Sequence, residues 1–241
     1  MEICCSSLYE AREAEAGGAI RIELCAAIAC GGVTPSRALI ESVAMAGLAL
    51  DVNVIIRPRE GNFLYTAEEA DMMCRDIAFC REAGVHGVVI GALTADGDID
   101  LEVCRRMKEA AGDMSVTFHR AFDVCRTPRH ALEQIIELGC DRLLTSGQKP
   151  SAEAGAELIA ELVRQADGRI IVMPGAGIRP SNIANVERIT RAEEFHSTAR
   201  SSAPDGMSYR NPYVSFAVEA DETIIRRTDR RVVSQLVNDT V

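Results

Sequence analysis

Apolar residues along this chain come in short pulses, and the pulses recur eight times. Strand-like runs occupy residues 2–5, 20–25, 50–57, 85–93, 115–120, 141–146, 169–173 and 192–197. Short apolar runs bounded by turn residues fit strands buried on both faces. Between most of them lies a stretch of helical spacing that ends on glycine, at Gly18, Gly47, Gly84, Gly112, Gly139 and Gly168. Glycine suits a helix C-terminus because it enters the left-handed region without a Cβ clash. Successive glycines are 29, 37, 28, 27 and 29 residues apart, about one strand–loop–helix unit. The long interval holds Glu60-Gly61-Asn62-Phe63, an enlarged loop after the third strand.

Helix starts are marked as well. Ser7-Leu8-Tyr9-Glu10 and Thr66-Ala67-Glu68-Glu69 have capping-box spacing. Thr34-Pro35 and Thr127-Pro128 place a capping hydroxyl before a proline at the first helical position. The last helix is expected at about 229–238, with Val232, Val233, Leu236 and Val237 on one face. Residues 201–222, polar and containing Pro and Gly, read as the last barrel loop plus a crossing segment.

Strands alternating with helices imply a parallel sheet with right-handed crossovers. Eight such units in 241 residues predict an α/β fold of the (β/α)8 TIM barrel type, forming a single domain over residues 1–241. A doubly wound sheet would require a glycine-rich nucleotide loop after an early strand, and Ser6-Ser7-Leu8 is not one.

Composition narrows the functional classes. The core must be aliphatic, because Trp is absent and aromatics are only 4% of the chain. A net charge of −10 argues against sequence-independent nucleic-acid binding, which needs Lys and Arg to neutralise phosphates. No apolar run has the length of a membrane span. Met1-Glu2-Ile3 opens directly on a strand-like stretch, which predicts no signal peptide. Nine cysteines in that setting read as reduced thiols of a cytoplasmic protein. The subunit number is open, a homo-oligomer included.

The segment V-T-F-H-R-A-F-D at residues 116–123 points most directly to chemistry. It begins as a core strand and ends in a histidine, an arginine and a carboxylate, polar groups that cost free energy there unless paired or used. In a barrel, strand ends converge on the C-terminal mouth. Reading alternate residues inward, strand two offers Glu23 and Cys25, and strand three offers Arg57. Strand five offers Thr117 and His119, followed by Arg120 and Asp123, and strand eight offers Glu194 and His196. His119 or His196 suits acid–base work near neutral pH, and Arg57 or Arg120 suits a carboxylate or phosphate. His86 and His130 read as surface or structural. Gly175, Gly177 and Ser197 fall where barrels often bind phosphate, after strands seven and eight.

The cysteines divide. Cys4, Cys5, Cys25 and Cys30 cluster near the start, whereas the other five scatter over helices, loops and helix ends. No C-x-x-C pair occurs, and adjacent Cys4 and Cys5 point to opposite strand faces.

Six ordered motifs then resemble the copper homeostasis protein CutC family. They are R-I-E-L-C at 21–25, G-G-V-T-P-S at 31–36, I-R-P-R at 56–59, the 116–123 segment, L-T-S-G at 144–147 and E-F-H-S at 194–197. The tail M-S-Y-R-N at 207–211 looks similar too. The resemblance implies a (β/α)8 barrel, a cytoplasmic location and copper as the bound ion, with cysteine ligands. Those ligands carry over to Cys25, Cys30 and Cys4.

Two functions are therefore expected from the sequence. One is a cytoplasmic, CutC-type copper homeostasis protein that binds copper through Cys25, Cys30 and Cys4. The alternative is a TIM-barrel enzyme acting on a small anionic or phosphorylated metabolite. In it, Arg57 and Arg120 would orient the anion, Gly175–Gly177 would bind phosphate, and His119 with Glu23 or His196 would move protons.

Overall fold

The computed structural model describes residues 1–214 and 223–240. Eight parallel strands form a nearly closed barrel: β1 (Glu2–Cys5), β2 (Arg21–Leu24), β3 (Asp51–Ile55), β4 (Gly87–Ile90), β5 (Ser115–Phe118), β6 (Arg142–Thr145), β7 (Ile171–Pro174) and β8 (His196–Ser197). Their order is β7-β6-β5-β4-β3-β2-β1-β8, so each strand lies beside its sequence neighbour and β8 returns to β1. Helices α1 (Leu8–Ala16), α2 (Arg37–Ala44), α3 (Ala67–Glu82), α4 (Leu101–Ala111), α5 (Pro128–Glu137), α6 (Ala156–Ala166) and α7 (Ile183–Thr190) follow the first seven strands. An antiparallel pair, β9 (Arg200–Pro204) and β10 (Ile224–Thr228), then leads to α8 (Arg230–Asn238). The expected single-domain (β/α)8 barrel is the observed fold. The expected loop and crossing segment at 201–222 is partly this β-pair, and residues 215–222 of it lie outside the described residues.

Strands are shorter than the apolar runs that signal them. Cys25, Ile56, Ala92 and Leu93 are buried yet lie past the ladders, because packing under the loops continues after strand pairing stops. The shortest is β8, whose pairing is limited to Glu2↔His196 and Ile3↔Ser197. All six helix-terminal glycines have positive φ. The Thr66–Glu69 capping box is complete. At α1, Ser7 caps Glu10 N–H, but the Glu10 carboxylate is taken by Ser6 N–H and Oγ instead. Helix α2 starts at Arg37 on a Ser36 cap, and Thr34 Oγ1 instead accepts Arg57 N–H at 2.9 Å.

The period-two alternation sorts side chains into two regions. Outward residues such as Ile3, Cys5, Ile22, Leu24, Val54, Val88, Phe118 and Leu143 pack on Ile40, Met73, Ile77, Met107, Leu132, Ile159 and Val186 of the helices. The inward residues are far more polar than the branched aliphatics usual in such barrels. Glu2, Arg21, Glu23, Asn53, Thr117 and His119 are all buried. Glycines make room for them. A Cβ at Gly91 would lie 2.5 Å from His119 Cε1, and one at Gly87 would lie 2.5 Å from Asn53 Oδ1.

Candidate functional site

A chain of buried charges rises through the barrel interior. At the N-terminal end, Arg142 Nε donates to Glu194 at 2.8 Å, and Arg21 bridges Glu194 and Glu2, donating to the latter at 2.5 Å. Glu2 Oε1 then lies 2.8 Å from His196 Nδ1. Burying such charges is tolerable because each is paired in sequence. Glu194 therefore lies toward the barrel floor with Arg21 and Arg142, not at the mouth where the strand-eight pattern placed it. It precedes β8, whose first residue is already level with Glu2.

Above this ladder, strand register brings sulfur together. Residues Cys4 and Glu23 are partners across β1 and β2, and Cys25 follows just past β2. The Cys4 and Cys25 sulfurs are 3.3 Å apart and both residues are buried, with Ile55, Val89 and Ile28 packed around them. Cys4, Glu23 and His196 bring one sulfur, one carboxylate oxygen and one ring nitrogen within 4.8 Å of one another. Cys5 faces the helices, as the alternation requires. Cys30, in a single 3₁₀ turn, donates its thiol to Ala27 O at 3.0 Å and is outside that group.

A cavity of about 1630 Å³ opens over the sulfurs. Cys4, Glu23, Cys30, Arg57, His119, Arg120, Asp123, Gly177, His196 and Ser197 all line it, while Cys25 and Gly175 lie behind its wall. Several of these side chains are already engaged. Arg57 donates to the carbonyls of Cys30, Gly32 and Gly61 at 2.8 to 3.0 Å and lies over the Phe63 ring, so it ties two loops together. Asp123 accepts from Thr145 Oγ1, Ser146 N–H and Oγ, Gln148 N–H and Arg120 Nε. It anchors the loop after β6 with every lone pair in use. Ser197 Oγ donates to Ile178 O at 2.9 Å and accepts from Ala199 N–H. Gly175 is set by packing, since a Cβ there would lie 2.5 Å from Leu144 Cδ1. Gly177 holds φ +75° and its carbonyl accepts from Asn182 Nδ2.

Several polar atoms of mouth-lining residues are not engaged, Arg57 Nε and Arg200 Nε among them. Glu23 Oε2 and His119 Nε2 are buried and have no hydrogen-bond partner among the described residues. His119 Nδ1 accepts from Ala121 N–H at 3.1 Å, which fixes the proton of the neutral ring on Nε2.

Burial and neighbouring charge separate the titrations. Burial, with the charge of Arg57 adding, pushes His119 down to about 3. Burial also opposes protonation of His196, but hydrogen bonds to Cys4 and Glu2 and the charges of Glu23 and Glu2 outweigh it and raise its pKa well above the usual value. Burial opposes ionisation of Glu2, yet His196 and Arg21 hold it down at about 2. Burial, reinforced by the Glu2 charge, pushes Glu23 up to about 7. The Cys4 thiol is pushed up by its hydrogen bond to Cys25 and by burial. The group that titrates near neutral pH is thus Glu23 rather than either histidine.

The ladder residues Glu2, Arg21 and Arg142 carry a signal that the mouth-centred sequence reading passes over. The alternation that points Glu23 inward points Arg21 inward too. His86 and His130 are exposed, as expected. No helix among the described residues is long and apolar enough to cross a membrane.

The family model of the CutC family matches residues 1–201. A Parabacteroides distasonis family protein CutC is 54% identical over 239 residues, covering 98% of both chains. A Bacteroides thetaiotaomicron family protein CutC is 48% identical over 223 residues, covering 92% of this chain and 90% of its own. Among solved structures, a CutC from Streptococcus agalactiae, assigned provisionally to copper homeostasis in its description, superimposes with a TM-score of 0.78 at 30% identity. That match covers 82% of this chain and 97% of the other. The eight-stranded barrel, the ordered motifs and these relatives agree, and the chain belongs to the CutC family.

Proposed function

We propose that this chain is a cytoplasmic copper homeostasis protein that binds a single Cu(I) between the thiols of Cys4 and Cys25. The observation that carries this reading is the 3.3 Å approach of two buried sulfurs, that of Cys4, which lines an open cavity, and that of Cys25 behind it. The donor set fits the ion. Thiolates are soft ligands that select Cu(I), and imidazole also suits copper, which makes His196 the third donor within reach of Cys4. Tetrahedral closure of the kind zinc favours would call on the hard Glu23 carboxylate as well. Ile55, Val89 and Ile28 pack around the two cysteines.

Loading has a proton requirement. The Cys4 thiol must lose a proton that its hydrogen bond and burial retain, and His196 must give up the proton that Cys4, Glu2 and Glu23 hold on it, so affinity rises with pH. All nine cysteines are free, which suits a reducing compartment. Cys30 is outside the proposed ligand set and stands at the entrance. X-ray absorption of the protein loaded anaerobically with Cu(I) tests the reading. Two sulfur scatterers, reduced to one by Cys4→Ser, are expected, and a shell of nitrogen and oxygen alone contradicts it.

A further inference from the structure

Of five arginines that line the mouth, three are committed. Arg57 holds loop carbonyls, Arg120 holds Asp123, and Arg200 holds Glu10 and Ser6. The guanidinium groups of the remaining two, Arg179 and Arg226, make no hydrogen bond or ion pair with any described residue. Among the described residues only two carboxylates line the same cavity, Glu23 and the fully bonded Asp123. The rim is therefore cationic in a chain of net charge −10. Local charge decides here, because exposed charges more than about 8 Å away are largely screened in physiological salt.

The floor carries a second, independent observation. Glu23 is 4% exposed and His119 is 3% exposed; both line the cavity, and each carries a buried polar atom with no hydrogen-bond partner among the described residues. Buried polar atoms are rarely left without partners, and an orphan is a sign of a missing water, ion or ligand. Here one is an acceptor, Glu23 Oε2, and the other a donor, His119 Nε2–H. A hydroxyl or a hydroxyl–carbonyl pair satisfies both. Phe63, Ile55 and Leu144 supply apolar wall between floor and rim.

We infer that the mouth is a binding site for a small organic anion, held at the rim by Arg179 and Arg226 and hydrogen-bonded at the floor by His119 Nε2–H and Glu23 Oε2. The ligand class is a phosphorylated or carboxylated polyol or its oxidised form. Paired N–H donors of arginine recognise either anionic group. The site needs neither thiol, so it stands or falls separately from copper binding.

The test is a histidine side-chain NMR titration of the full, copper-free chain. Ribose 5-phosphate and gluconate are the two organic-anion arms, with ribose and inorganic phosphate as controls. At least one organic anion should move the His119 resonance saturably, binding about tenfold or more tighter than either control. Which anion does so identifies the phosphate or the carboxylate source. Arg179→Ala with Arg226→Ala, both at exposed or rim positions, should weaken that binding about tenfold while leaving the spectrum of the free protein folded. His119→Gln should weaken it as well, read by shifts of cavity backbone amides. If neither organic anion moves His119 up to millimolar concentration, the orphaned atoms hold water only and the inference fails. Equal binding by the double arginine variant, or by inorganic phosphate alone, overturns it too.

Discussion

Glu2 and His196, at opposite ends of the barrel sequence, are joined by a 2.8 Å contact between Oε1 and Nδ1. The first carboxylate of the first strand thereby fixes the imidazole of the last, at the seam where β1 and β8 pair over only two residues. A ring nitrogen of His196 also lies within 4.8 Å of the Cys4 sulfur.

The pair has a defined pH window. The folded pKa of Glu2 is depressed to about 2, so its contribution is present above the unfolded value and lost as pH falls through about 2. The folded pKa of His196 is raised, so its contribution is present below the unfolded value and lost as pH rises through the folded one. The full benefit lies between about pH 4.3 and 6.5. Glu2→Gln should lower the His196 pKa and cost about 3 kcal/mol in that window, because Arg21 and His196 lose a buried partner. Urea unfolding across pH, with His196 followed by NMR, checks both effects. An unchanged His196 titration would show that the contact does not control the ring.

His119 behaves in the opposite sense. Its folded pKa is depressed to about 3, so the neutral ring contributes full stability above the unfolded value of about 6.5. That stability is lost as pH falls toward 3, by about 1.4 kcal/mol per pH unit once the unfolded ring is protonated. His119→Gln should remove this slope between pH 6 and 4, read as the difference between wild-type and variant denaturation curves. Parallel curves would place the ring in a wetter setting than its burial suggests.

Asp123 is a structural anchor on this account. Asp123→Ala leaves the hydroxyl of Thr145 and the backbone amides of Ser146 and Gln148 without their acceptor, while Ser146 Oγ keeps Lys149 O. A loss of about 3 kcal/mol is expected. Hydrogen exchange should localise the loosening to residues 145–149, and protection there equal to wild type would contradict the assignment.

Much of this fold is legible in the residues themselves. The glycines at 18, 47, 84, 112, 139 and 168 punctuate the βα units because each closes a helix at positive φ. The inward parity of Glu23, Arg57, His119 and His196 follows from the two-residue strand period, and all four line one cavity. What the sequence could not convey is pairing. Nothing local says that Asp123 spends its oxygens on β6 or that Arg57 spends its nitrogens on carbonyls. Those contacts arise from loops that meet only after the barrel closes. The Cys4–Cys25 contact is of the same kind, since it depends on β1 and β2 being parallel in the register Cys4↔Glu23. Glu194 misleads for a related reason, because the run expected over residues 192–197 is longer than the two residues of β8 that pair with β1.

Cys30 separates the copper reading from a looser thiol cluster. Cys30→Ser should leave copper stoichiometry unchanged, since its thiol is bonded to Ala27 O and lies outside the group around Cys4. Anaerobic competition against a chromophoric Cu(I) chelator measures this directly. Loss of the bound ion in that variant would move the site outward to the loop.

The same titration on the Cys4→Ser, Cys25→Ser double variant tests the central claim most directly. Wild-type protein should take up one equivalent of Cu(I) with an affinity that rises with pH, and the double variant should take up none. Undiminished binding by a folded double variant would contradict a copper site between these two sulfurs.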